Sequence, residues 1–154
     1  MEWLRVVGIS HISNGLYIGG ARAVYRAEEL QLVGITRVLK LYPDDPFWPE
    51  DFQVCEAVLH DGQLIPPGLL RRGTAFLREP RDDKEAVLVV CGAGISRSAT
   101  FVLAYLLEEG YDLRAAWTLL QQQHPSARPH PQMWLSLVAE YNLGYSLEEL
   151  AHFW

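Results

Sequence analysis

The chain has little sulfur, no excess of basic charge and no long apolar run, and each lack narrows what it can do. It has two cysteines, Cys55 and Cys91, in 154 residues. They make neither a disulfide scaffold nor a CxxC metal or redox motif. The histidines His11, His60, His124, His130 and His152 fall at no metal-ligand spacing, so neither a metal nor a cofactor is expected. With 13 basic against 19 acidic residues the formal net charge is −6, which argues against a nucleic-acid binder acting through bulk charge. The best apolar stretch, residues 99–107, is far short of the roughly 20 residues of a membrane span. No apolar core with a small-residue cleavage site follows Met1-Glu2-Trp3-Leu4-Arg5, so this start does not read as a signal peptide. Repeats, low-complexity tracts and long linkers are missing too. The expectation is a cytoplasmic protein with residues 1–154 in one domain, and no nucleic-acid or membrane partner.

What is present is ordinary globular composition, 49% hydrophobic and 21% charged, in a chain long enough to bury a core without staples. Residues 9–12, the Asn14-Gly15 pair and residues 16–18 predict a hairpin, because Asn-Gly supplies the positive φ angles of a type I′ turn. Residues 22–32 predict a helix stopped by Gly34. Strands are expected at 35–41 and 52–59, separated by a proline-rich loop over 43–49. A helix is expected at 67–77, with Pro67 near its first position. Residues 86–90 read as a strand buried on both faces. Helices follow at 98–109, from Asp112 to about 124, and at 131–142, and Ser146 with Glu149 matches a capping box. The fold class is α/β, a central, mostly parallel twisted sheet flanked by helices. That architecture hosts many activities, so function must be argued from a site.

One segment carries chemistry. The expected strand ends at Cys91, then Gly92, Ala93, Gly94, Ile95 and Ser96 form a short loop, and a helix begins near Arg97 and Ser98. Successive backbone N–H groups at a helix N-terminus form an anion cradle, strengthened by the helix dipole. Glycines remove the Cβ atoms that would obstruct such a curve. Arg97 adds a planar fork able to grip two phosphate oxygens. A cysteine at the base of the cradle sits in a positive field, the condition that yields a thiolate nucleophile. A nucleophile beneath a bound tetrahedral anion is placed for in-line attack on phosphorus. Cys55 is an internal control: Val58 and Asp61 stand where the cradle needs glycine and arginine.

Cys91-x-x-Gly94-x-x-Arg97-Ser98 resembles the signature of cysteine-dependent protein tyrosine phosphatases, and Gly94-Ile95-Ser96-Arg97-Ser98 resembles its form in the dual-specificity branch. Leu16-Tyr17-Ile18-Gly19, Gly34-Ile35-Thr36, Ala104-Tyr105-Leu106 and Arg128-Pro129-His130-Pro131 are similar to that family as well. The resemblance implies the compact phosphatase core. It makes Cys91 the nucleophile of a cysteinyl-phosphate, Arg97 the phosphate and transition-state ligand, and residues 92–96 the cradle. Ser98 would hydrogen-bond the departing thiolate. The family's general acid lies roughly thirty residues upstream, where Asp61 precedes Gly62; Asp44, Asp45, Asp82 and Asp83 fit that spacing or loop context less well.

The implied substrate is phosphotyrosine in proteins, with phosphoserine and phosphothreonine as further candidates, handled by a monomer without cofactor or metal. Two alternatives stay open. One is a phosphatase of phosphoinositides, RNA 5′-phosphates or glycans, although relatives acting on such polyanions often carry Lys or Arg in the loop and this one is uncharged. The other is a phosphate-binding module with little catalysis, against which Cys91, Arg97 and Asp61 are all present. Two positions depart from the family. Val90 replaces a histidine, which is expected to remove hydrogen bonds favouring the thiolate. His130 replaces an asparagine; its ring is a candidate to restore that residue's hydrogen bonds to the loop, the alternative being a solvated loop histidine. Cys55 is expected to be a core thiol rather than a redox partner. Trp117 and Trp134 read as helix-packing faces, and Arg71, Arg72, Arg78 and Arg81 as a solvated helix edge.

Overall fold

Asn14 and Gly15 adopt φ of 36° and 78°, both positive as a type I′ hairpin requires. They join β1 (Ser10–Ser13) to β2 (Leu16–Gly20) as an antiparallel pair. This computed structural model describes residues 4, 7–79 and 82–153, so the reading of residues 1–5, Leu4 apart, and that of Arg81 lie outside the described residues. β2 runs parallel to β5 (Ala86–Cys91), β5 to β3 (Ile35–Lys40), and β3 to β4 (Gln53–Glu56). The sheet order is therefore β1-β2-β5-β3-β4, parallel except at the hairpin edge.

All six residues of the central strand β5 are buried. Side chains alternate across a strand, and here they feed two separate cores. Val87, Val89 and Cys91 join a large cluster with Phe101, Trp134 and Leu77. Ala86, Leu88 and Val90 join a smaller one with Leu30, Val38 and Tyr42. The large core is roofed by α2 (Leu69–Arg78), α3 (Arg97–Glu108), α4 (Leu113–Gln123) and α5 (Pro131–Glu140), with the short α6 (Leu147–Ala151) beyond. A 3-10 segment (Ala21–Arg26) and α1 (Ala27–Leu32) contribute to the smaller.

Capping follows the sequence closely. Asp112 accepts from Ala115 N at 2.8 Å, and Ser146 with Glu149 forms the full capping box. Beyond shifts of one or two residues at other element ends, three elements differ from expectation. The helix over 22–32 is split, because Arg26 at φ −118°, ψ 28° interrupts it. The helix expected from Pro67 starts at Leu69, since Gly68 sits at φ +83° and a left-handed residue cannot continue a right-handed helix. The strand over 52–59 shortens to Gln53–Glu56: its partner β3 ends at Lys40, and residues 57–60 run on as a loop.

The minor assignments resolve as packing. Trp117 meets Trp134 edge-on at 5.1 Å, and the ring of Phe153 lies tilted against Trp134 at 5.2 Å. Cys55 packs against the large core, and burial pushes its thiol pKa up, the character of an inert core thiol. Arg71 and Arg78 pair with Glu140 and Glu108, and Arg72 donates to Glu56 O. No helix among the described residues is long and apolar enough to cross a membrane.

Candidate active site

Parallel strands deliver their C-terminal ends to one edge of the sheet, the usual address of ligand sites in such folds. β5 ends there at Cys91, 2% exposed. The next residues wrap into a loop leading straight into α3, whose dipole points its positive end at the loop. Gly94 N donates to Cys91 Sγ at 3.2 Å, and Ser98 Oγ stands 3.2 Å from the same sulfur.

The loop's carbonyls are drawn outward by the start of the 3-10 segment and by the connection between α4 and α5. Gly92 O accepts from Ala21 N at 3.1 Å, and Ile95 O from Arg128 N at 2.8 Å. Gly94 O accepts from the ring Nε2 of His124 at 2.7 Å. In a planar trans peptide the C=O and the following N–H point in opposite directions. Each tethered carbonyl therefore turns the next N–H, of Ala93, Ile95 and Ser96, towards the concave side. The curve is possible because Gly94 sits at φ +73°, where a Cβ would lie 2.7 Å from Gly19 C. At Gly92 a Cβ would stand 3.0 Å from Nη2 of Arg97, so its absence makes room for the guanidinium.

A cavity of about 370 Å³ opens above the sulfur, lined by Asp61, Cys91, Ala93, Ile95, Ser96, Arg97, Arg128, Pro129, His130 and Pro131. Of the residues singled out in the sequence, the structure thus brings together Cys91, Ser98, the loop of residues 92–96, Arg97, Asp61 and His130. Arg97 Nη1 donates to Leu59 O at 3.2 Å, linking α3 to the loop that carries Asp61. Ser96 Oγ donates to Asp61 Oδ1 at 2.6 Å and accepts from His130 N at 2.9 Å.

One expectation needs correction. The ring of His130 does not take up hydrogen bonding to the cradle. Its Nδ1 accepts from Gln132 N at 3.1 Å and caps α5, while the link to the cradle runs through the backbone N–H. Val90 lies in the smaller core on the opposite face of β5 from Cys91. A side chain there points away from the sulfur, so a histidine at this position would act on it only through the backbone. Sequence reasoning also passed over His124, its partner Ser10, and the bridging role of the Ser96 hydroxyl. His124 and Ser10 are 114 positions apart, and no local motif announces either.

The chain has extensive relatives. The family model for the dual specificity phosphatase catalytic domain matches residues 16–142. Human dual specificity protein phosphatase 12 is 30% identical over 148 residues, covering 89% of this chain and 42% of that protein. Human dual specificity protein phosphatase 14 is 31% identical over 135 residues, covering 85% of this chain and 68% of that one. Among solved structures, human DUSP28 superposes with a TM-score of 0.79 at 25% identity, over 87% of this chain and 96% of that one. The chain spans less than half the length of the first of these relatives. It belongs to the family of dual specificity phosphatase catalytic domains.

Proposed function

We propose that this chain hydrolyses phosphotyrosine in proteins, with phosphoserine and phosphothreonine as further substrates, through a cysteinyl-phosphate on Cys91. The observation that carries this reading is the single cavity in which Cys91 lies beneath inward-facing N–H groups, with Arg97 and Asp61 in its walls. The phosphate's oxygens are received by the N–H groups of the loop and by the Arg97 fork, which stabilise charge developing in the transition state. Cys91 Sγ attacks phosphorus in line, the P–O bond to the tyrosine breaks, and Asp61 gives its proton to the departing oxygen. Asp61 then accepts a proton from water as that water attacks the thiophosphate. The S–P bond breaks, and the Ser98 hydroxyl, 3.2 Å from the sulfur, hydrogen-bonds the released thiolate.

Ala93, Ile95, Pro129 and Pro131 give the cavity apolar walls, which suit the ring of phosphotyrosine. The loop holds no Lys or Arg between Cys91 and Arg97, which counts against polyphosphorylated lipids. A nucleophilic thiol must stay reduced, so the cytoplasm is the compartment that suits it. We read the working form as a monomer acting on phosphoproteins.

The test is turnover of a phosphotyrosine peptide with EDTA present. Wild type should hydrolyse it. Cys91→Ser should lose more than about a hundredfold in kcat, since a covalent nucleophile is removed, while still binding inorganic phosphate. A strict metal requirement, or a Cys91→Ser variant with near-normal turnover, would overturn the reading.

A further inference from the structure

His124 lies at the C-terminus of α4, 6% exposed, and no step of the mechanism uses it. Its two ring nitrogens are both engaged. Nε2 meets Gly94 O at 2.7 Å, with Ser126 Oγ further off at 3.3 Å, and Nδ1 meets Ser10 Oγ, on β1, at 2.7 Å. A carbonyl can only accept, so Nε2 carries the proton, and Nδ1 of the neutral ring must accept from the serine hydroxyl. Burial lowers the pKa of the ring, which favours the neutral form. The tautomer is thus set by a carbonyl of the phosphate loop, and a serine on the first strand supplies the donor that Nδ1 then needs.

We infer that His124 is a positioning residue of the anion cradle: its Nε2–H holds the Gly94–Ile95 peptide with the carbonyl outward, aiming the Ile95 N–H at bound phosphate. The inference rests on the reading of that loop as the phosphate site. Three features make this peptide the one in need of a clamp. Gly94 is a glycine at positive φ, and such a residue has the widest choice of backbone conformation. The loop's other tethered carbonyls, of Gly92 and Ile95, are held by backbone N–H groups. For Gly94 O the donor is this one side chain. A flipped peptide would present a carbonyl oxygen to the anion in place of a donor.

The experiment compares His124→Asn with His124→Gln in the whole chain. The reach of the side chain is the variable. A glutamine amide nitrogen occupies nearly the place of Nε2 and can donate to Gly94 O. An asparagine amide reaches only the Nδ1 position, keeping a polar contact for Ser10 but leaving Gly94 O unpaired. The readouts are the inhibition constant of inorganic phosphate against p-nitrophenyl phosphate, kcat/KM for that substrate, and the melting temperature of each variant. Asn should weaken phosphate inhibition and lower kcat/KM by about tenfold each, the scale of one misaligned hydrogen bond to a charged ligand. Gln should stay within about threefold of wild type. Phosphate inhibition unchanged in the Asn variant would overturn the inference, whatever its melting temperature. So would equal losses in both variants, or losses that track melting temperature alone. Any of these three results leaves the phosphatase reading standing if wild type turns over, whereas a wild type that neither binds phosphate nor turns over sinks both.

Discussion

Ser96 Oγ donates to Asp61 Oδ1 at 2.6 Å across 35 positions of chain, tying the cradle to the loop that carries the proposed acid. The same hydroxyl oxygen accepts from His130 N at 2.9 Å, so one small side chain joins three segments around the cavity. The bond also divides the labour of the carboxyl group. In the proposed acid role, with Oδ1 occupied as an acceptor, Oδ2 is the oxygen that would carry the proton for the leaving group.

Ser96→Ala removes this tether and leaves the cradle's backbone donors in place. We expect kcat on phosphotyrosine peptides to fall by about tenfold, part of what a positioned acid contributes. Turnover of an aryl phosphate with a strongly acidic phenol should change much less. Equal losses on the two substrates, in steady-state assays, would show that Ser96 acts on phosphate binding rather than on Asp61.

Asp61→Ala should lower kcat on phosphotyrosine peptides by about 10²–10⁴, the usual worth of general-acid catalysis. The loss should shrink as the leaving group becomes more acidic, and the basic limb of the pH profile should disappear. Were the loss uniform across a series of substituted phenyl phosphates, Asp61 would be a loop-shaping residue only.

Gly94→Ala places a Cβ 2.7 Å from Gly19 C and 2.8 Å from Gly20 N. Both are backbone atoms of β2, which cannot swing aside. An alanine at positive φ destabilises by about 1 kcal/mol or more, so the melting temperature should drop by at least roughly 2–4 °C. Phosphate affinity should fall with it, because the loop must open to relieve the contact. Calorimetry with and without phosphate reads both effects, and an unchanged transition contradicts the close packing of loop on strand.

Val90→His puts a larger, polar ring into the core formed with Tyr42, Leu30 and Val38. Overpacking of this kind costs about 1–3 kcal/mol, and the ring faces away from Cys91. The variant should melt lower, and the pH dependence of Cys91 alkylation by iodoacetate should match that of wild type. A shifted alkylation curve would mean that residue 90 reaches the sulfur's environment through the backbone.

The Asn14-Gly15 hairpin, the caps at Asp112 and Ser146, the buried strand β5 and the Cys91-to-Ser98 cradle were all determined by the sequence alone. Each is a contiguous run in which turn chemistry, capping or the side-chain period acts over a few residues. The split at Arg26, the helix start after Gly68 and the early end of β4 were blurred because neighbouring conformation and strand partners decide them. Only the tertiary structure decided what surrounds the cradle. His124 reaches Gly94 O from the far end of α4, Ser10 donates to its Nδ1 from β1, and Ser96 meets Asp61 across the cavity. Which face of β5 receives Val90 and which receives Cys91 depended likewise on how helices cover the sheet. These contacts join residues 30 to 114 positions apart. No local preference encodes a contact at such a separation; it exists because packing of the whole core brings the two segments within hydrogen-bonding distance.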